Sequence, residues 1–440
     1  MLLRSAINGG EFSMQNRPRQ ALALLLTGLF AALLFAACGD NTPTTAPSTT
    51  VAVGTAASTT AAAATTVASA ATTAAASTTS AAAATTAAAG TTAAAATTTA
   101  GGAATTAAAT GSGTTAAGGG AVVACNAPVA AASNGKTYRI GISVQNSIPD
   151  LVAAINGFKK GMEQCGFVDG KNVKYDLQNA LGDIPSLTTI SKKFADDKVD
   201  MIAAIGTAAL VAGYNATKDQ NIPIVFNSVT NPYVAIPGVI KTETDHSPYI
   251  TGIQALVNIE TVMKTIQEVA PNAKNIGLIY NPAEINSKFL RDQSQEVAKK
   301  LGLNLVEASI AQSSEVLTAA QSIADKVDVF YTTTDVTVVN ALPSLVKVAT
   351  DNKKPLIASN PQSAERGAAV AVGIDYFDVG ILSAIKGAAV LDGKKPGDLP
   401  IEGIKVTHLY INTKAAEQMG LKIPDSVVTR AEQKYTDIKS

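Results

Sequence analysis

Between Asp40 and Lys136 the chain carries no Lys, Arg, Asp or Glu. Those 95 residues are almost all Ala, Thr, Gly and Ser, so Ala methyls are nearly the only apolar matter they offer. Burying so little cannot offset the entropy of fixing a backbone, and 41–135 is expected to be a disordered tether. The tract divides the 440 residues unequally. Before it lies an apolar segment ending at Cys38; after it lies a region of ordinary charge and periodicity, where function is expected.

The apolar run Ala21–Ala37 follows Arg17 and Arg19 and ends in Phe35-Ala36-Ala37-Cys38-Gly39. Small residues before a Cys suit signal-peptide cleavage and lipid attachment. The segment resembles a bacterial lipoprotein lipobox, with Phe35 where Leu is usual. Residues 1–37 thus read as a signal peptide, with Met14 as an alternative start. Cys38 reads as the lipidated residue, and 38–40 as the mature N-terminus. The competing reading is a transmembrane anchor, because this run is at the lower length limit for spanning. Either reading puts the body outside the cytoplasm, anchored to a bacterial membrane. There Cys125 and Cys165 either pair, clipping the start of the folded region to its first helix, or leave Cys165 as a small buried hydrophobe.

The 34 basic and 34 acidic residues balance, and no basic cluster invites nucleic acid. Two histidines, His246 and His408, are too few for a His-built metal centre. Neither falls in a strand-end loop, and no dinucleotide, P-loop or nucleophile-elbow motif occurs. No cofactor, metal or catalytic set is expected; the chain is read as a monomeric non-enzyme.

From Thr137 short apolar runs alternate with helical segments. Strands are expected at Tyr138–Val144, Val173–Leu177, Met201–Ile205 and Ile222–Phe226, with helices at Asp150–Cys165, Pro185–Asp197 and Ala208–Asp219. Uninterrupted apolar strands separated by helices indicate an α/β fold with parallel sheets covered on both faces. The pattern then repeats after about 130 residues. Arg139-Ile140-Gly141-Ile142 is echoed by Asn275-Ile276-Gly277-Leu278, Asp200-Met201-Ile202 by Asp328-Val329-Phe330, and Pro223-Ile224-Val225 by Pro355-Leu356-Ile357. Two similar doubly wound lobes follow, one spanning 136–255 and the other 256–368, joined by a hinge. Residues 369–440 are read as the hinge return, with strand Ala369–Ile374 and helix Val379–Leu391 completing lobe 1, and a tail.

Two such lobes face each other with the carboxyl ends of their strands, where open α/β sheets bind ligands. The loops there contribute Gln145, Asn146, Thr207, Asn227, Ser228 and Thr230 from lobe 1. Lobe 2 contributes Glu284, Asn286, Ser287, Asp335, Ser359 and Asn360, and the strand Ala369–Ile374 is followed by Asp375. Each is a ligand-contact candidate, although Ser, Thr, Asn and Asp at helix starts also serve as caps. Asp335 stands out because it occupies the duplicated position of Thr207. A carboxylate there could receive a ligand ammonium while Asn286 and Ser287 hold a carboxylate, which suits an amino acid.

Several stretches are similar to ABC-transporter substrate-binding proteins of the tryptophan- and phenylalanine-binding lipoprotein type. They are Gly166-Phe167-Val168-Asp169-Gly170-Lys171-Asn172-Val173, Tyr280-Asn281-Pro282-Ala283-Glu284-Ile285-Asn286-Ser287, Thr334-Asp335, and Gly373-Ile374-Asp375-Tyr376. Asn231-Pro232 departs from the Asp-Pro that relatives often have. The resemblance covers roughly Tyr138–Ala431. It implies a periplasmic-binding-protein type I fold that captures a small solute, an aromatic or other amino acid, for an ABC permease. A ligand-sensing surface lipoprotein uncoupled from transport is the alternative.

Overall fold

The computed structural model describes residues 124–439. The segments read as signal peptide, lipidation site and most of the tether lie outside the described residues. The last part of the presumed tether does not: a turn of 3-10 helix occupies Ala130–Ser133, with Ala131 buried. The folded region therefore begins before residue 136. Cys125 and Cys165 are joined as a disulfide (Cα–Cα 5.0 Å). Val129 N–H donating to the Cys165 carbonyl (3.1 Å) lays the segment along the end of the first helix.

Lobe 1 opens with β1 (Tyr138–Val144), α1 (Pro149–Gln164), β2 (Val173–Asn179), α2 (Ile184–Asp196) and β3 (Met201–Ile205). It continues with α3 (Thr207–Thr217), β4 (Ile224–Val229), α4 (Pro232–Ala235) and β5 (Ile250–Gln254). Lobe 2 follows with α5 (Ile259–Val269), β6 (Asn275–Tyr280), α6 (Ile285–Lys300), β7 (Asn304–Ser309) and α7 (Val316–Ile323). Next come β8 (Val329–Thr332), α8 (Val336–Asn340), α9 (Leu342–Asp351), β9 (Leu356–Ala358) and β10 (Val370–Gly373). The chain ends with α10 (Tyr376–Leu391), β11 (Glu402–Gly403), β12 (His408–Asn412), α11 (Thr413–Gln418), α12 (Asp425–Arg430) and β13 (Gln433–Tyr435).

The first sheet has the order β11-β5-β4-β3-β1-β2, all parallel. The second runs β13-β12-β10-β9-β8-β6-β7, with only the β10–β12 pair antiparallel. Each lobe thus contains the doubly wound order 2-1-3-4-5, written once as β2-β1-β3-β4-β5 and again as β7-β6-β8-β9-β10. Strand β10 pairs with β9 through Val370 and Ala371, so it is the counterpart of β5 and belongs to lobe 2, not to lobe 1 as the sequence reading had it. Helix α10 does return to lobe 1, where it packs along α1 and against β4.

Three crossings connect the lobes: between β5 and α5, between β10 and α10, and between β11 and β12. The α1–α10 pair forms one wall of lobe 1, beside the cleft. Apolar residues Leu151, Ala154, Ile155, Phe158 and Met162 recur at helical spacing on its inner face, and all are buried. Pro149 opens α1 in the first turn, where a missing N–H costs nothing, and Gly166 (φ 95°) follows its end. Full burial of each large side chain such as Phe158 contributes on the order of 1.5–3 kcal/mol. Among the described residues, no helix is long and apolar enough to cross a membrane.

Candidate functional site

Both lobes line a cavity between them. Lobe 1 supplies Gln145, Ile148, Asp150, Leu151, Gly206, Thr207, Ser228 and Thr230; lobe 2 supplies Asn286, Thr334, Val336, Val339 and Asn360. Tyr376 enters from the crossing into α10. These are the loops after β1, β3, β4, β6, β8, β9 and β10, so strand-end geometry decides which residues meet.

The charged member is Asp150, in the first turn of α1. It is 3% exposed, and its Oδ2 accepts from Asn360 Nδ2 across the cleft (2.8 Å). Its Oδ1 has no partner. Burial pushes its carboxyl from the ordinary 3.8 to about 6, against the lowering pull of the Asn360 bond and of the Arg366 charge. Arg366 is tied by Nη1 to the Val339 carbonyl (3.1 Å).

Thr207 opens α3 beneath Gly206, whose φ of 95° only glycine adopts readily. No side chain caps α3, so its first-turn N–H groups are left for an anion. Thr207 Oγ1 is buried without a partner. Ser228 stands in a left-handed conformation (φ 56°) that a serine adopts at a cost, an observation common where a loop is shaped for binding. It is held there by Asn227: Ser228 Oγ donates to Asn227 Oδ1 (3.0 Å), and Asn227 Nδ2 donates to Ser383 Oγ (3.0 Å). Ile148, Leu151, Val336, Val339 and the Tyr376 ring give the cavity an apolar side.

Of the residues singled out in the sequence, Gln145, Thr207, Ser228, Thr230, Asn286 and Asn360 meet in this cavity. Asn146 lines an outer space instead. Asn227 lies behind Ser228, Ser359 bonds the Tyr331 hydroxyl (2.7 Å), and Asp375 caps α10 through Phe377 N–H (2.7 Å).

Asp335 does not line this cavity. It is fully buried and spends both oxygens inside lobe 2. Oδ1 accepts from Val338 N–H (2.9 Å) as the cap of α8; Oδ2 accepts from Asn281 N–H (2.7 Å) and from the Ser287 hydroxyl. Asp335 thus acts as a cap, and Ser287 is engaged with it. Burial, then the neighbouring Glu284 charge, push the Asp335 carboxyl well up. Glu284 is likewise off the cavity, holding the Val336 and Thr337 N–H groups (3.1 and 3.0 Å).

Asp150 and Tyr376 were missed. The candidates after the first strand stop at Asn146, and Asp150 is the first residue of the helix expected at Asp150–Cys165. The signal was present: an acid one turn into the helix after the first strand lies at the same strand ends.

Two lobes of the same doubly wound order, joined by three crossings around a cleft, make up the periplasmic-binding-protein type I fold. A model of the family described as ABC transporter substrate binding protein matches residues 139–435, and the chain belongs to that family. It is 39% identical over 287 residues to a tyrosine-binding protein of Clostridioides difficile, covering 65% of this chain and 82% of that one. Among solved structures, a Streptococcus pneumoniae ABC domain in complex with L-Trp aligns with TM-score 0.65 at 28% identity. A ligand-free, open substrate binding protein with adhesive properties from Clostridium difficile aligns with TM-score 0.53 at 35% identity. Each alignment covers 68% of this chain and 100% of the other. Families of this kind bind solutes outside the cytoplasm and are not enzymes.

Proposed function

We propose that the cleft binds an amino acid with an aromatic side chain. Asp150 receives the ammonium, the α3 N-terminus with Thr207 receives the carboxylate, and Ile148, Leu151, Val336, Val339 and Tyr376 pack the ring. The observation that carries this reading is a set of unmet polar atoms: Asp150 Oδ1, Thr207 Oγ1 and Asn360 Oδ1 are buried without partners on one cavity. Buried polar atoms rarely stay unpaired, and three around one space call for a polar ligand. The relatives named for tyrosine and L-Trp support the aromatic side chain.

The closer alignment with the L-Trp complex than with the ligand-free open structure, despite lower identity, supports a closed arrangement of the lobes. In this account Cys38 carries a lipid, the tether lets the body reach a partner, and the closed receptor hands its solute to an ABC permease. A surface role without transport would use the same cleft, and the adhesive relative favours keeping that reading. Permease-dependent uptake separates the two.

A thermal-shift titration of the full chain tests the ligand class. Tyrosine, tryptophan or phenylalanine should raise Tm with concentration, whereas tyramine and 3-(4-hydroxyphenyl)propionate, each lacking one charged group, should not. A shift with no amino acid would overturn the reading.

A further inference from the structure

Two side-chain hydrogen bonds cross the cleft in opposite directions. From lobe 2, Asn360 Nδ2 donates to Asp150 Oδ2 (2.8 Å). From lobe 1, Gln145 Nε2 donates to Glu284 Oε1 (3.1 Å). Each lobe thus offers a buried carboxylate to an amide of the other.

The two acceptors differ in what else they do. Asp150 keeps an unpartnered oxygen on the cavity, so its bond to Asn360 shares a carboxylate with the solute. Glu284 is saturated without a solute. Its Oε1 also accepts from Thr337 N–H (3.0 Å) and Thr337 Oγ1 (2.6 Å). Its Oε2 accepts from Val336 N–H (3.1 Å) and Asn286 Nδ2 (3.3 Å). It is 2% exposed and does not line the inner cavity. Four of its five donors belong to lobe 2, so the carboxylate stays in place when the lobes part. Gln145 also borders an outer interlobe space of about 380 Å³ lined by Asp183, Ser313 and Asn340. The bond stands at the boundary between that space and the inner cavity.

We propose that Gln145–Glu284 is a latch that stabilises the closed form by a fixed amount whatever solute is held, and so sets residence time rather than selectivity. A bond made only in the closed form multiplies the affinity of every ligand that needs closure by one factor. Because its acceptor is pre-organised, little of the gain is lost in ordering Glu284. Gln145 is here a positioning residue acting through the lobe contact. The inference rests on the cleft being the solute site.

Gln145→Met in the full chain keeps the side-chain length and removes the donor. The Kd values of L-tyrosine, L-tryptophan and L-phenylalanine should rise together, by about tenfold as expected for losing a hydrogen bond to a charged group. Stopped-flow traces should place the change in koff, with kon unaltered. Small-angle scattering of the ligand-free variant should show a larger radius of gyration than wild type. Gln145→Glu, which sets two carboxylates face to face, should weaken binding further. Factors that differ among the three amino acids would make Gln145 a ligand contact and overturn the latch; so would an unchanged Kd. If wild type binds none of the three, the solute reading fails by itself. Scattering still decides the latch then, because identical radii for wild type and Gln145→Met would overturn it.

Discussion

At Asp150 a carboxylate is held out of water beside a single cross-cleft amide, which makes it costly when charged and useful to a cation. Its folded carboxyl titrates at about 6 against an ordinary 3.8, so ionisation is easier in the unfolded chain. The sign follows: its contribution to stability is full below 3.8 and is lost as pH rises to about 6. Asp335, also raised, acts in the same direction. The ligand-free protein should therefore have a lower Tm at pH 7.5 than at pH 5, as read by calorimetry. Ligand affinity should run the opposite way, because an ammonium needs the ionised carboxylate. Asp335→Ala should lower Tm, by losing a cap worth roughly 0.5–2 kcal/mol, while leaving the Kd for L-tyrosine unchanged. Residues of one type were hard to rank from sequence because each acid near a strand end can cap a helix or meet a ligand. Which it does depends on which N–H groups the fold brings to it, as Asn281 and Val338 come to Asp335.

Helix α1 ties three features together. Its first turn carries Asp150, its middle packs on α10, and its end meets the disulfide. The α1–α10 contact is backbone-close: a Cβ on Gly380 would come within 2.2 Å of the Ala154 carbonyl oxygen, and one on Gly157 within 2.0 Å of the Phe377 carbonyl oxygen. Gly380→Ala should force the helices apart, costing about 1–3 kcal/mol in a denaturant titration and shifting Tyr376 enough to weaken binding. The disulfide closes a separation of 40 residues, and loop entropy gives it up to about 4 kcal/mol. Reduction should lower Tm without changing Kd, since α1 puts about 24 Å between Cys165 and the cavity at 1.5 Å per residue. Elements were the most legible level. The apolar runs marked β1, β3 and β8, and the paired blocks announced the duplication. Strand β10 was misplaced because β5 had not been recognised from Ile250-Thr251-Gly252-Ile253; with it, the repeat would have assigned β10 to lobe 2.

For the whole molecule, duplication explains why there is a cleft at all. Two sheets of the same order present the carboxyl ends of their strands to one another, and three crossings let them part and close. Fold and family could be read from periodicity and motifs because both depend on pattern. The role proposed for Asp150 could not, because it depends on which way one oxygen points in the folded cleft. The most direct test of the account is a calorimetric titration of the full chain with L-tyrosine across pH 5 to 8, for wild type and Asp150→Asn. One-to-one binding is predicted, weakening as pH falls below about 6 in wild type. In the variant, affinity should be about ten- to a hundredfold lower and nearly flat with pH, the loss expected of a charge-assisted hydrogen bond. Wild-type affinity and pH profile retained in Asp150→Asn would contradict it.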